Sequence, residues 1–390
     1  MNWKRWMIAG LLIIVVGSGC GYGAERRTDQ KTEEIKEPES EENRKEDSLR
    51  LAERLKDLYE QEKDTETIQE TIIRAIGEQG YAAVDTDNQI NMVNYSQMET
   101  FCQQAEEGKK AKATLFCVTK EGGWIRYDLE AEQGGLKAAV SSLQWGEKPK
   151  INYYNEFETN SWEYTQKGYL FLEEARPAGY DGPPGQKAFR VKPLDSVCRK
   201  ACRVYVTPIG YDRNNLLITD WNEKEPEKLD FYDLYERLFY VKFGEPVPYE
   251  ASWGGAEYQV PEQEVEEVLQ NYFSFHTATI RENMMYQPES GTFLYRPRGL
   301  KDGGSPYGPY PEVTGYEKLD DGTIRLTVEA VWTWKMLDCA VKSELIVRPG
   351  QEGSFDYVSC RVLSWDERVT NSWYKPRFTK EEWEAYYGKK

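Results

Sequence analysis

The residue whose surroundings most clearly indicate a chemical role is Cys20, which directly follows Gly17, Ser18 and Gly19. Small residues before a cysteine are typical of the bacterial lipobox, where a peptidase cuts the precursor and the cysteine becomes a lipid-modified N-terminus. We therefore predict that Cys20 is the lipid-attachment residue and carries fatty acyl chains such as palmitate. Leu is commonest at the place of Gly17, so secretory cleavage without lipid attachment stays open.

The segment before Cys20 has the pattern of a signal peptide. Lys4 and Arg5 provide a positive start, and the apolar run Met7–Val16 follows. This run is too short to span a membrane, which takes about 20 apolar residues, but it fits the hydrophobic part of a signal peptide. Residues 1–19 are thus predicted to be a lipoprotein signal peptide. The predicted location of the lipid-anchored chain is the extracellular face of a Gram-positive cell membrane.

The six cysteines after Cys20 could form disulfides, because an even number in an exported chain permits pairing. Alternation places Cys339 and Cys360 on buried faces of adjacent strands, and a hairpin about Pro349-Gly350 would bring them opposite each other. We predict this pair as the first disulfide, with buried free thiols as the alternative. The CxxxC spacing at Cys198 lacks a second cysteine pair, so we predict no metal site. The six are Cys102, Cys117, Cys198, Cys202, Cys339 and Cys360.

Catalytic patterns are scarce. The chain has a single histidine, His276, and it has no GxSxG elbow, P-loop or helix-opening GxGxxG. The position of His276 between two predicted helices favours a hydrogen bond at a helix end over a catalytic role. The 67 acidic residues contain too many carboxylate pairs for any one to be selected. We predict no catalytic residue and no cofactor, while a two-carboxylate hydrolase stays as the alternative.

Two proline-rich loops are candidate ligand contacts. One is Ser305–Pro311, which carries Tyr307 and Tyr310, and the other is Tyr180–Gly185. Prolines reduce the conformational entropy that a loop loses when it is held, so such loops can present tyrosine rings to sugars or peptides. We predict Tyr307 and Tyr310 as ligand-contact residues. The alternative is that both loops are stiff connectors between strands.

The charge of the chain excludes one class of partner. The formal net charge is −17 at pH 7, whereas nucleic-acid-binding proteins present basic faces. We therefore predict no nucleic acid partner and contact with the membrane through the lipid alone. Residues 20–63 are predicted to be a charged disordered tether, because the stretch 25–47 is too polar to form a core. A weak helix with Leu51, Leu55 and Leu58 continues it.

The remaining chain is predicted to fold as α+β. In each of two stretches, amphipathic helices precede several alternating strands. Helices packed on a curved antiparallel sheet are typical of cystatin-like and NTF2-like folds. We predict two such helix-plus-antiparallel-sheet modules, a connecting region and a C-terminal tail helix. The bounds are 64–175 for the first module, 176–260 for the connection, 261–375 for the second module and 376–390 for the tail.

A sequence repeat supports two related modules. Gly123–Ala131 and Gly322–Ala330 share the pattern G-x-I-R-x-x-x-E-A, and further identities follow after a two-residue length difference. Duplication explains the match, and a chance match between two amphipathic hairpins is the alternative. In the second copy, alternation from Ile324 places Trp332 and Trp334 on the core face. The alternative for these tryptophans is the lining of an open mouth of the sheet.

Several strings resemble a family of uncharacterised lipoproteins from Gram-positive anaerobes, over roughly residues 64–388. The resemblance agrees with lipid attachment but implies no activity, because the family is known as a domain of unknown function. The strings that carry it are Gly80-Tyr81, Val84-Asp85, Asn88-Gln89-Ile90, Pro208–Asn215, Leu229–Tyr235, Pro311–Tyr316 and Pro376–Trp383.

These patterns favour a membrane-anchored extracellular protein that binds a ligand without catalysis. Its predicted partners are the membrane, through the lipid on Cys20, and an envelope protein or glycan. The alternative is a carboxylate-dependent hydrolase of glycans or cell wall, which should have a cleft with two carboxyl groups about 5–10 Å apart, one of raised pKa. A folding helper at the membrane would instead need an apolar groove.

Overall fold

A computed structural model describes residues 40–299 and 301–388. The predicted signal peptide, Cys20 and the first part of the predicted tether lie outside the described residues. Residues 45–388, as far as they are described, pack as one compact unit. Within the described residues, no helix combines the length and the apolar character that crossing a membrane requires.

The first half of the described chain forms a seven-stranded sheet with three helices. The strands follow one another in chain order across the sheet, with β1 parallel to β2 and all other neighbours antiparallel. The elements are α1 (Glu41–Glu62), α2 (Ile68–Glu78), β1 (Ala82–Asp85), α3 (Tyr95–Glu106), β2 (Ala111–Val118), β3 (Trp124–Glu132), β4 (Gly135–Gln144), β5 (Lys150–Tyr164), β6 (Tyr169–Glu174) and β7 (Gln186–Arg190).

Both faces of this sheet are covered, because its strands alternate between two apolar sets. On the inner face, α3 packs with Met98 and Phe101 against Leu115 and Leu129. On the outer face, α1 and α2 cover a second cluster whose members include Ile72, Phe116 and Trp124. The helix α1 occupies much of the predicted tether, since its Leu51, Ala52 and Leu55 are buried in the outer cluster.

The sheet curls until its two edge strands are bridged by one side chain. The Asn88 amide nitrogen donates to the backbone oxygen of Ala188 at 2.9 Å, and its side-chain oxygen accepts from the backbone nitrogen of Arg190 at 2.8 Å. Asn88 follows β1, has a φ of +54° and is buried. Asparagine tolerates this left-handed conformation better than most residues. The loop after β1 therefore ties the first strand to β7.

The second half of the chain surrounds one large core with two smaller sheets. A five-stranded sheet has the order β12-β13-β14-β15-β8, and a three-stranded sheet has the order β10-β11-β9. A π-helical turn (Cys202–Val206) and a 3-10 turn (Thr333–Lys335) complete it. The elements are α4 (Ser196–Ala201), β8 (Trp221–Asn222), α5 (Phe231–Phe243), β9 (Tyr258–Pro261), α6 (Glu262–Leu269), α7 (Thr277–Asn283), β10 (Tyr286–Gln287), β11 (Thr292–Tyr295), β12 (Tyr310–Lys318), β13 (Ile324–Val331), β14 (Val341–Pro349), β15 (Phe355–Trp365) and α8 (Lys380–Tyr387).

The prediction of two cystatin-like or NTF2-like modules is wrong. Strand β7 belongs to the seven-stranded sheet, and β8 adds to the five-stranded one, yet both come from the predicted connecting region. The repeated pattern lies on β3 and β13, each central in an antiparallel meander. A parallel strand and α3 precede the first meander, whereas α6, α7 and a separate three-stranded sheet precede the second. The likeness is therefore confined to the hairpins.

Candidate functional site

The two proline-rich loops meet at one groove, which we call the aromatic groove. Residues 175–185 connect β6 to β7, and residues 303–309 lead into β12. Both loops border a cavity of about 690 Å³, and so does the 3-10 turn after β13, through Trp334. The sequence identified both loops as candidates but did not predict that they share a site. The lining includes Asn160, Glu173, Glu174, Arg176, Tyr180, Pro184, Gln186, Pro306, Tyr307 and Trp334.

Three aromatic rings of the groove face solvent. Tyr307, Trp334 and Tyr180 are 37%, 40% and 44% exposed. The rings of Tyr307 and Trp334 lie 6.1 Å apart at 62°. Lys335 Nζ lies 4.9 Å from the Trp334 ring, and the Arg176 guanidinium lies 4.9 Å from the Tyr180 ring. The rings thus form a lining with cations at its edge.

Trp334 is exposed because the strand that carries the repeat ends before it. Alternation predicted that it would share the core face with Trp332. Strand β13 instead stops at Val331, and the 3-10 turn is followed by Met336 with a φ of +52°. Trp332 stays buried, while Trp334 turns outward. The core prediction holds for Trp332, and the open-mouth alternative fits Trp334.

The loop with Tyr307 is held from behind. The indole nitrogen of Trp332 donates to the backbone oxygen of Tyr307 at 2.7 Å, and the Trp332 ring packs against Trp373 at 5.1 Å. The backbone nitrogen of Tyr307 donates to the hydroxyl of Ser305 at 3.2 Å. A loop held in this way loses little conformational entropy when a ligand contacts its ring.

The opposite loop is closed by a glycine. The backbone nitrogen of Glu174 donates to the backbone oxygen of Gly185 at 3.1 Å. A Cβ atom at Gly185 would lie 2.0 Å from the Glu174 backbone oxygen, a distance that no side chain can occupy. Glycine is therefore required for the close approach that brings Tyr180 to the groove.

The acidic side chains of the groove are already hydrogen-bonded. Glu173 accepts from Ser161 at 2.8 Å, from Asn160 at 2.9 Å and from Gln186 at 2.7 Å. The hydrogen bonds from Ser161 and Asn160 lower the pKa of Glu173 below its ordinary value. Glu174 accepts from Asn155 and from Arg176, each at 3.0 Å. Glu173, with its lowered pKa, is an acceptor for ligand hydroxyl groups rather than a proton donor.

The second tyrosine of the predicted pair lies elsewhere. The Tyr310 hydroxyl receives a hydrogen bond from Asn88 at 3.1 Å and donates to the Tyr169 hydroxyl at 3.2 Å. Burial raises the pKa of Tyr310 well above its usual range. The structure therefore separates Tyr307, in the aromatic groove, from Tyr310, whose hydroxyl lies in the interior.

A largely buried polar group, which we call the junction network, consists of Glu312, Arg190, Arg199, Tyr169, Tyr310 and Asn88. Glu312 lies 3.2 Å from Arg190 and 3.5 Å from Arg199, and Tyr169 donates to it at 2.8 Å. Burial raises the pKa of Glu312, although the two guanidiniums oppose this. The sequence analysis missed this network, because its members come from distant positions. The available signal was Glu312 itself, an acidic residue between Pro311 and Val313 at the start of β12, where all three are buried.

The predicted disulfide between Cys339 and Cys360 is wrong. In the register of β14 and β15, Cys360 lies opposite Leu345, six positions beyond Cys339. Cys339 itself precedes β14, whose first residue Val341 pairs with Trp365, so the two cysteines are not the cross-strand neighbours that a disulfide between these strands requires. All six cysteines of the described chain are free thiols. The hairpin turn at Pro349-Gly350 was predicted correctly, but the two cysteines do not lie equally far from that turn.

The remaining site candidates lie away from the groove. His276 is exposed at the N-terminal end of α7, and its side chain makes no capping hydrogen bond. Within residues 40–299 and 301–388, no group of three or more His, Cys, Asp or Glu side chains is arranged to hold a metal ion. Cys20 lies outside the described residues, so lipid attachment there stays a prediction.

Comparison with known proteins gives a family but no activity. The model of a family of unknown function, DUF6070, matches residues 41–377. The chain belongs to this family. This confirms the predicted membership in an uncharacterised family, and the match spans both halves of the DUF6070 chain, from α1 to the segment before α8. No curated protein and no solved structure gives a significant match.

Proposed function

We propose that this DUF6070 protein is a membrane-anchored extracellular protein that binds a glycan of the cell envelope in the aromatic groove. The observation that carries the proposal is the convergence of Tyr180, Tyr307 and Trp334 from three separate segments on one cavity. Sugar rings present an apolar face for stacking and a rim of hydroxyl groups for hydrogen bonds. Solvent-facing rings beside carboxylate and amide groups match both features.

The charge of the groove favours an uncharged ligand. Glu173 and Glu174 are balanced by Arg176 at the lining and by Lys335 beside Trp334. A groove with balanced charges gives little attraction to a phosphate-rich or strongly anionic partner. Neutral glycan hydroxyls can instead exploit the free lone pairs of the two carboxylates and the donors of Arg176.

Binding is better supported than hydrolysis. A glycosidase needs a carboxyl group of raised pKa that serves as the general acid. The hydrogen bonds to Glu173 shift its pKa in the opposite direction. The acids whose pKa is raised, Asp85, Asp230 and Glu312, do not line this groove. The groove thus has the features of a holding site.

A panel of oligosaccharides tests the binding proposal. The purified full chain would be titrated with chitohexaose, cellohexaose and soluble peptidoglycan fragments while tryptophan emission is recorded, since Trp334 lies in the groove. We expect at least one of the three to shift the emission and saturate in the micromolar to millimolar range. No saturable change with any of them would contradict glycan binding. Release of shorter sugars during the titration would support the hydrolase alternative instead.

Anchoring requires a separate test, because it depends on Cys20 alone. Bacterial cells expressing the chain would be fed labelled palmitate, and membrane and medium fractions compared. We expect label on the wild-type chain in the membrane fraction, and an unlabelled chain after Cys20→Ser. Equal membrane retention and label in both chains would refute attachment at this residue.

A further inference from the structure

A second cavity lies at the mouth of the curled sheet, and we call it the lysine cavity. It has a volume of about 520 Å³, within the range of small-molecule sites. Strands β3 and β7 provide one wall and the loop after β1 another, while Tyr211 and Tyr310 come from the second half. Of the residues that line this cavity, only Gln186 also lines the aromatic groove.

Lys187 is the cation of this cavity. It lies on β7 two residues before Phe189, so both side chains point to the inner face of the sheet. Among the described residues, no carboxylate lies within ion-pair distance of Lys187. The nearby Glu174 already pairs with Arg176 and Asn155. A half-buried ammonium without a partner is costly, and burial lowers its pKa accordingly.

One part of the wall is apolar and aromatic. Tyr127 and Phe189 form an edge-to-face pair with ring centres 4.9 Å apart, and Ile125 lies beside them on β3. Within the part of the chain that the structure describes, no hydrogen bond engages the Tyr127 hydroxyl. A flat apolar body could therefore pack on these three side chains while a polar group reaches the lysine.

The acids that border the cavity are already engaged. The Asp85 carboxylate accepts from the backbone nitrogens of Gln89 at 2.9 Å and Ile90 at 2.8 Å. Asp87 lies 3.3 Å from Lys120, and the exposed Asp212 lies 4.0 Å from Arg213. Lys187 is the one cation among the residues that line the cavity, and no described carboxylate forms an ion pair with it.

We propose that the lysine cavity binds a small organic anion, whose charged group pairs with Lys187 and whose apolar body packs on Ile125, Tyr127 and Phe189. The expected ligand has one negative group, a carboxylate or a sulfonate, on an apolar ring system that fits a cavity of about 520 Å³. An ion pair with a partly buried ammonium adds to affinity because it supplies the partner that the folded chain lacks.

The test uses two probes that differ by one charge. Anilinonaphthalene sulfonate has an apolar bicycle with a sulfonate, and N-phenyl-1-naphthylamine is its neutral counterpart. Both become fluorescent in apolar sites, so the native full chain can be titrated with each. We expect one saturable site, with the anion bound about tenfold tighter than the neutral probe. Failure of the native chain to bind the anion would overturn the proposal.

Substitutions of Lys187 test whether its charge attracts the anionic probe. In Lys187→Met we expect the anion to lose about tenfold in affinity while the neutral probe keeps its own. Lys148→Met, at an exposed lysine between β4 and β5, is the matched control and should change neither value. Lys187→Arg should retain the preference for the anion, which guards against a folding defect in the methionine variant. Equal anion binding in Lys187→Met and wild type would refute the assignment.

A third variant separates this site from the glycan site. Trp334→Ala should leave binding of both probes unchanged, because Trp334 lines the aromatic groove and not the lysine cavity. Loss of the anionic probe in Trp334→Ala would place it in the groove and overturn the proposal for the cavity. Neither result depends on whether a glycan binds.

Discussion

Tyr307 of the aromatic groove and Tyr310 of the junction network are only three residues apart in the chain, yet their side chains have opposite environments. Tyr307 is exposed beside Trp334, whereas the hydroxyl of Tyr310 bonds to Asn88 and Tyr169 in the interior. The groove rings make few bonds to the rest of the fold, while each member of the network is tied to several others. If a glycan binds in the groove, as proposed, binding and stability depend on separate side chains of one short segment.

The largest effect is expected from the charge at the centre of the junction network. Glu312→Gln would leave Arg190 and Arg199 buried without their carboxylate, at a cost of about 3–5 kcal/mol in the free energy of unfolding. Urea unfolding followed by circular dichroism measures this cost. The control is Glu317→Gln, whose exposed pair with Arg325 contributes at most about 1 kcal/mol. If both variants lose the same stability, the network has no special role.

A smaller loss of stability is expected from a single hydroxyl of the same network. Tyr310→Phe removes the bonds to Asn88 and Tyr169 but keeps the ring, so we expect a loss of about 1–2 kcal/mol. Tyr307→Phe, three residues earlier, is the matched control. It should unfold within about 0.5 kcal/mol of wild type, because the structure gives its hydroxyl no bond within the described residues. Equal losses would mean that the two tyrosines are not in different environments.

Substitutions in the aromatic groove should affect glycan binding more than the stability of the fold. Trp334→Ala removes a ring that is 40% exposed, and we expect the unfolding free energy to stay within about 0.5 kcal/mol of wild type. Loss of a stacking ring should weaken glycan binding about tenfold or more. Trp253→Ala changes a ring that is 89% exposed and does not line the groove, so it is the control for binding. A large loss of stability in Trp334→Ala would break the proposed separation.

The smallest effect is expected at the edge of the groove. Lys335→Met removes the cation 4.9 Å from the Trp334 ring, and cation–π contacts at exposed sites contribute about 0.5–1 kcal/mol. We expect the free energy of unfolding to fall by about 0.5–1 kcal/mol and glycan affinity to fall two- to fivefold at most. Calorimetric titration at two salt concentrations measures this, and a tenfold or larger loss would show that the ligand contacts the lysine itself.

Local structure was largely accessible from the sequence. The hairpin at Asp321-Gly322 is confirmed, because Gly322 has a φ of +85° and the Asp321 side chain accepts from the backbone of Thr323. Alternation correctly placed Ile324 and Trp332 in the core. These features depend on neighbouring residues, whose conformational preferences act over a few positions.

Long-range arrangement was not accessible in this way. Alternation does not reveal which strand lies at which edge, so the addition of β7 to the first sheet and of β8 to the second was missed. The junction network was missed for the same reason, since Arg190, Arg199 and Glu312 are far apart in sequence. Both loops of the aromatic groove were identified from the sequence, but the sequence did not predict that they line the same cavity. The error at Cys339 concerned the distance from the turn, because cross-strand pairing requires both cysteines to lie about equally far from it and Cys360 lies opposite Leu345.

One titration tests the central claim most directly. The double variant Tyr307→Ala with Trp334→Ala, the control Trp253→Ala and the wild-type chain would be titrated calorimetrically with the best oligosaccharide of the panel, with the unfolding free energy of each measured in parallel. The aromatic groove as the glycan site predicts that binding disappears in the double variant while its stability stays near that of wild type, and that the control binds normally. Undiminished binding in a folded double variant would contradict the claim.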